Sequence, residues 1–215
     1  MNSLKIHKVI WILLAISIIG TFFVYPALPE EIPLHWNAAG EVDRIGHKIN
    51  AFLTAGLPLL IVILLSVVPK IDPKRESYQK HGKAYGIIAN LLIVFFIGLH
   101  WVTLAVALGY SINVGAVVGG GVGILFIIIG NYMGQIRPNY TFGIRTPWTL
   151  ANEEVWKKTH RLGSWAFIVL GVLFIISGII ANEILFMIII GALLLFVLGL
   201  FIYSYLEYRK IEHTK

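Results

Sequence analysis

The chain has 215 residues, of which 58% are hydrophobic and only 13% carry a formal charge. A soluble domain runs about 45–50% apolar and about 25% charged, so this composition argues against one. Lys and Arg number 17 against 11 Asp and Glu, a net charge of +6. That excess lies in short loops, where anionic headgroups and topology account for it without a nucleic-acid partner. There is no Cys, which excludes disulfides, thiolate metal sites and thiol catalysis.

In chain order, the first apolar run, Val9–Tyr25, follows Lys5 and Lys8. No small-x-small cleavage pattern follows it, so we read it as a retained first helix and not a removed signal peptide. Further uncharged stretches predict helices at about Ala51–Val68, Ala84–Leu108, Val114–Met133, Leu162–Ile180 and Ile184–Tyr203, each near the roughly 20 residues that cross hydrocarbon. The long window from Ala84 to Ile136 is divided at Gly109-Tyr110-Ser111-Ile112-Asn113, a run of helix-weakening residues. The fold class is therefore all-α, a polytopic six-span bundle whose surroundings are the lipid bilayer. It divides into 1–68, a two-helix unit with a structured outer loop, and 69–215, a four-helix unit with a long inner loop at 134–161, together one integrated membrane domain.

Charge sets the orientation. Glu30, Glu31, Glu41 and Asp43 outnumber Arg44 and Lys48 in the first loop, whereas Lys70, Lys74, Arg75, Lys80 and Lys83 dominate the second and Arg137, Arg145, Lys157, Lys158 and Arg161 the fourth. Positive loops stay inside, which predicts both termini in the cytoplasm.

The outer loop, PALPEEIPLHWNAAGEVDRIGHKIN, has prolines that keep its first half extended and Ala38-Ala39-Gly40 for a tight turn. It fits a structured cap over the bundle or a recognition surface for an extracellular ligand, with His35, Trp36, Asn37, Gly40, Asp43 and Lys48 as contacts. Asp43, Arg44 and Lys48 are expected to pair locally. His35, Glu41, Asp43 and His47 fall close together, but at no spacing that specifies a metal ligand set.

Helix 4 carries Gly115, Gly119 and Gly123 at four-residue spacing. Such a stripe fits a packing seam inside the bundle, a homodimer face or a gating hinge.

In the inner loop, Pro138, Gly143 and Pro147 punctuate short turns, and Thr149 or Asn152 can cap a helix. Glu153 with Lys157 and Glu154 with Lys158 are i,i+4 pairs in the favourable order, so that helix should run on into the fifth span, with a bend near Gly163. Trp148, Trp156 and Trp165 are expected at headgroup level. Asn139, Gly143, Arg145, Thr146, Pro147, Asn152, Trp156 and His160 form the candidate docking surface, with Arg145 foremost because a guanidinium needs planar partners.

No Asp, Glu, Lys or Arg lies mid-span, which counts against coupled transport, and His100 beside Trp101 reads as a hydrogen-bonded packing residue. HExxH, GxSxG and GxxxxGK[ST] are absent, so we expect no catalytic residues, no enzyme activity and no cofactor or metal.

Two segments carry a family resemblance. PLHWNAAGEVDRIGHK resembles the Pro-x-His-Trp-Asn signature of a small bacterial membrane domain of unknown chemistry. PNYTFGIRTPWTLANEEVWKKTHRLGSW is similar to the signature of the SdpI family, immunity proteins against a secreted cannibalism toxin. The resemblance implies protection of the producing cell in a bacterial plasma membrane, a toxin on the outer face and a small repressor held on the cytoplasmic face. It supplies no catalytic residues. The alternative is a transporter of a small hydrophobic compound or lipid.

Overall fold

The computed structural model describes residues 6–213. Six of its helices are long and apolar enough to cross a membrane. They are α1 (Lys8–Val24), α2 (Asn50–Ile71), α3 (Ser77–Ala107), α4 (Val114–Met133), α6 (Glu153–Ile180) and α7 (Glu183–His213), with a one-turn helix α5 (Pro147–Ala151) preceding α6. The outer loop folds into a hairpin of β1 (Glu31–Trp36) and β2 (Val42–His47). Lys5, counted in the charge reading, lies outside the described residues.

Side chains outside the bundle are those that hydrocarbon would take: Phe23 is 81% exposed, Ile179 71% and Leu195 70%. Burying them against lipid is what makes this surface tolerable. Inside, α3 packs against α1, α2 and α4, while α4 packs along most of its length on α6, and α6 on α7. Ile10, Leu14, Val62, Ile93 and Ile97 form one buried cluster where the first three helices meet.

The glycines of α4 find their partner within the chain. A Cβ on Gly119 would lie 2.7 Å from Gly178 Cα, one on Gly123 2.5 Å from Gly171 O, and one on Gly130 2.7 Å from Ser164 O. Gly171 and Gly178 of α6 are equally intolerant in the reverse direction, and Ser164 Oγ donates to Gly130 O at 2.6 Å. The stripe at Gly119 and Gly123 is thus the α4–α6 seam, with backbones close enough for dispersion and weak hydrogen bonds to replace side-chain packing. Gly115 closes the top of this seam, its carbonyl 2.9 Å from where a Cβ on Gly178 would stand, and does something more. It sits under the hairpin tip, where a Cβ on Gly40 would be 3.1 Å from Gly115 N.

His100 satisfies its ring within the helices. Nε2 is 3.0 Å from Thr21 Oγ1 on α1 and Nδ1 is 2.9 Å from Thr54 Oγ1 on α2, while Trp101 Nε1 donates to Ser17 Oγ at 3.1 Å. One histidine therefore bridges three spans, the packing role expected of it.

Two helices start earlier than hydropathy alone suggested. α6 begins at Glu153, where Asn152 Oδ1 accepts from the backbone amides of Glu154 and Val155, and both i,i+4 ion pairs form. Its helix runs through Gly163 without a break. The break is in α3 instead, at His81, with φ −118° and ψ 16°. α3 begins at Ser77 because its first two turns, although polar on one side, bury Tyr78, His81 and Tyr85 against the inner loop. Burial at positions i, i+3 and i+7 is helical periodicity that a hydropathy window averages away.

Candidate functional site

The hairpin and the 134–146 loop lie at opposite ends of α4, separated by about 30 Å of helix. The hairpin is built around Asn37. Its Oδ1 accepts from the amides of Ala39 and Glu41 at 2.9 and 3.0 Å, its own N–H donates to Glu41 O, and Gly40 takes φ 82°. Asn37 is thus the turn-former, a task its side chain suits because it mimics a backbone carbonyl. Ile32, fully buried, anchors β1 on Leu28, Ala51 and Leu104.

The opposite surface of the hairpin is exposed. His35 Nδ1 lies 2.6 Å from Asp43 Oδ1 across the strands, Lys48 Nζ lies 2.9 Å from Glu30 Oε1, and Val42 and Ile45 stand in solvent beside them. Asp43 and Lys48 therefore pair locally, but with His35 and Glu30 and not with each other. Lys48 also stands 5.3 Å from the centre of the Tyr25 ring. Its ammonium holds the Glu30 carboxyl below the usual carboxylate range, through the hydrogen bond first and its charge second. Trp36, the residue after His35 in β1, is half-buried.

At the other end the polar groups turn inward. Asn139 is fully buried, and Oδ1 accepts from the amides of Thr141 and Phe142 while Nδ2 donates to the carbonyls of Arg137 and Phe142. Asp72, only 2% exposed, reaches across from the α2–α3 turn. Its Oδ2 accepts from Tyr140 N at 3.0 Å, from Thr141 Oγ1 at 2.8 Å and from Tyr78 OH at 3.4 Å, and its Oδ1 accepts from Lys74 N at 2.7 Å. Tyr78 OH also bonds Thr141 Oγ1. A buried carboxylate surrounded by donors in this way is fixed in place and fixes the loop.

His160 is 1% exposed and stacks on Trp156 with ring centres 4.1 Å apart. Nδ1 pairs with Trp156 O at 2.9 Å and Nε2 accepts from Ile144 N at 3.0 Å, which selects the tautomer protonated on Nδ1. Gly143, at φ 106°, is required here: a Cβ would stand 2.5 Å from His160 Nε2. Trp156, expected at headgroup level, is instead 1% exposed and donates from Nε1 to Ile136 O at 2.8 Å. An indole N–H that finds a carbonyl inside the protein has no need of the interface. Trp148 packs on Phe201 and Tyr205 of α7, and Trp165 remains exposed.

Thr146 caps α5 in a reciprocal box with Thr149, and its Oγ1 lies 2.9 Å from Ser204 Oγ on α7, followed by Pro147 at the first helical turn. Thr149 is thereby used inside α5, and Asn152 alone caps α6. Of the expected docking residues, then, Asn139, Thr146, Trp156 and His160 form the interior of the loop. Gly143, Arg145 and Pro147 are at its surface. Arg145 Nη1 donates to Tyr140 O at 2.7 Å from an exposed position.

Sequence reasoning missed Asp72, Tyr78, His81 and Thr141, as well as Glu207. Glu207 Oε1 and Oε2 bind Lys210 at 2.7 Å and Lys158 at 3.0 Å, tying α7 to α6. His81 Nδ1 accepts from Arg137 N at 3.1 Å, and Nε2 has no partner among the described residues. The signal for the α3 group was available in the Tyr78, His81, Tyr85 spacing.

Residues 135–204 match the SdpI/YfhL protein family model, and residues 12–62 match a domain of unknown function, DUF1648. The chain is 29% identical over 204 residues to the immunity protein SdpI of Bacillus subtilis (strain 168), covering 95% of this chain and 96% of that protein. No solved structure matches. Residues 12–62 take in the hairpin with most of its flanking helices, and residues 135–204 begin at the loop gripped by Asp72 and run through α6 into α7. Six apolar spans together with these matches make this a multi-pass protein of the bacterial cell membrane that is similar to the SdpI/YfhL family over its second segment.

Proposed function

We propose that this chain is a membrane immunity protein that binds a secreted antimicrobial peptide or protein toxin at the hairpin end and presents a changed surface around Arg145 to a small cytoplasmic repressor. The name of the Bacillus subtilis relative supports the immunity part. The basic residues gathered at the loop end, Lys70, Lys74, Arg75, Lys80 and Lys83 with Arg137, Arg145, Lys157, Lys158 and Arg161, support that end being cytoplasmic and the acidic hairpin being outside. The 1–68 and 69–215 parts then act as one membrane domain joined along α3.

The observation that carries the reading is the approach of Gly40 to Gly115. It sets the tip of the exposed hairpin directly on the first turn of α4, whose glycine seam with α6 ends at Ser164, one turn from His160 and the Arg145 loop. A ligand that binds the hairpin differently in two packings of α4 on α6 would bias what the loop presents. His35, Trp36 and Asp43 are the ligand contacts in this reading, Asn37 and Gly40 shape the turn, and Lys48 clamps the base of the hairpin. Arg145 and Pro147 meet the repressor, while Asn139, Gly143, Thr146, Asn152, Trp156 and His160 hold the loop in form. The protein works by binding and not by catalysis.

The test is survival of cells expressing each variant when challenged with the family's cannibalism toxin, read beside membrane recruitment of a fluorescent repressor. H35A/D43A should lose protection, and Arg145→Ala should keep protection but lose recruitment. Wild-type protection and recruitment by both variants, at equal expression, would reject the assignment. Substrate-dependent flux through reconstituted vesicles would favour the transport alternative.

A further inference from the structure

The α2–α3 turn, the start of the inner loop and the α5–α6 junction enclose a cleft of about 550 Å³ that neither the hairpin nor the Arg145 surface includes. Lys74, Ser77, Lys80, Arg137, Leu150 and Glu153 are among the residues lining it. The one carboxylate, Glu153, is already engaged by Lys157 at 3.1 Å. Lys74, Lys80 and Arg137 make no ion pair among the described residues, although Lys74 lies 5.3 Å from the centre of the Tyr140 ring. Glu153 also feels the charges of Arg137 and Lys80, so three cations face one carboxylate, and the concavity keeps a net positive charge that an entering anion would offset.

The walls of this cleft are held in advance. The Arg137 amide donates to His81 Nδ1 at 3.1 Å, and its carbonyl accepts from Asn139 Nδ2 at 2.9 Å. Ser77 Oγ donates to Pro138 O at 2.7 Å, tying the start of α3 to the loop. The backbone bearing the guanidinium is therefore fixed on both sides, which lowers the ordering cost of binding. A planar guanidinium flanked by two ammonium groups matches the oxygens of a phosphate. Leu64, Val67 and Ile71, exposed along one stripe of α2, lead up to the turn that carries Lys74, so an acyl chain has an apolar surface beside the same cleft.

We propose that this cleft is an anion site for a phosphate group, supplied by an anionic phospholipid headgroup or by a soluble phosphorylated molecule. The proposal stands independently of toxin binding. The full chain in neutral detergent would be titrated with phosphatidylglycerol and with phosphatidylcholine, retained lipid being read by native mass spectrometry. Parallel titrations with inorganic phosphate and pyrophosphate, against chloride at matched ionic strength, would be read as Tm. If the source is lipid, K80Q/R137Q retains several-fold less phosphatidylglycerol than wild type, Arg161→Gln, an exposed cation outside the cleft lining, retains as much, and Glu153→Gln retains more. If the source is soluble, pyrophosphate raises the Tm of wild type and not that of the double variant. Should K80Q/R137Q fail to fold, Lys74→Gln and Lys80→Gln read singly must each reduce binding. Equal response of wild type and the folded cleft variants to every phosphate probe overturns the site. So does an equal loss in Arg161→Gln, which would mark a diffuse basic surface, or charge-dependent binding of a poly-glutamate peptide alone.

Discussion

The hairpin and the inner loop use similar residue types in opposite ways. In the hairpin, Asn37 shapes the turn with its side chain, and the pairs His35 with Asp43 and Lys48 with Glu30 stand at the surface. In the inner loop, Asn139, Asp72, Tyr78 and Thr141 spend their polar atoms on one another, out of water. An exposed pair contributes little to stability and is free to exchange partners, whereas a buried satisfied network is costly to disturb and specifies one shape. The first region keeps its polar groups available at the surface, and the second is a held scaffold with Arg145 exposed on it.

The sharpest way to break that contrast is Asp72→Ala. It leaves Tyr140 N, Thr141 Oγ1 and Lys74 N without their acceptor in a partly buried place, and each orphaned group costs up to about 1–3 kcal/mol. We expect a loss on the order of 3 kcal/mol or more in denaturant unfolding of the detergent-solubilised protein, with the 134–146 loop newly open to protease. H35A/D43A, by contrast, should move stability by under about 1 kcal/mol. Comparable losses in the two variants would erase the distinction.

Next in size come the glycines. Gly119→Ala puts a methyl 2.7 Å from Gly178 Cα, a backbone atom that cannot turn aside, and overpacking of this kind costs about 1–3 kcal/mol. Gly143→Ala meets both a positive φ of 106° and His160 Nε2 at 2.5 Å, for a loss on the order of 1–3 kcal/mol. The two differ in where the loss is felt. Gly119→Ala should loosen the seam, detected as hydrogen exchange along α4 and α6, and Gly143→Ala should expose amides of the inner loop alone. Matching exchange patterns would mean that loop and seam unfold as one unit.

The six spans, the α3–α4 turn at Gly109 to Asn113, the Asn152 cap and the role of His100 were legible because each rests on local signals: apolar length, helix breakers, side-chain capping and a lone polar group in a span. The Gly119 and Gly123 stripe was legible as a close contact, but its partner was not, since the sequence shows small residues without saying which helix meets them. Asp72 was invisible for a similar reason. Its value depends on Tyr140 and Thr141, 68 and 69 residues away, and in the sequence it is one acid in a basic loop. Trp156 and His160 read as surface residues because a polar loop does not announce that it folds over its own core. Their four-residue spacing, which stacks the two rings, was the available clue.

The smallest expected effect refines the hairpin side. Lys48 lowers the pKa of Glu30, so the folded chain holds the Glu30 proton less tightly than the unfolded chain. The stabilisation that follows is complete above the unfolded carboxylate pKa and disappears as pH falls through the lower, folded value. Because Glu30 is fully exposed, salt and water screen the pair, and the global unfolding midpoint should barely move. The measurement is therefore local: the Glu30 carboxyl titration followed by NMR in wild type and in Lys48→Met. The variant should titrate higher than wild type, and the difference should shrink at high salt. An unchanged titration would mean that Lys48 steadies the hairpin through the Tyr25 ring and not through its charge on Glu30, leaving the hydrogen-bonded His35 and Asp43 as the pair that shapes the exposed face.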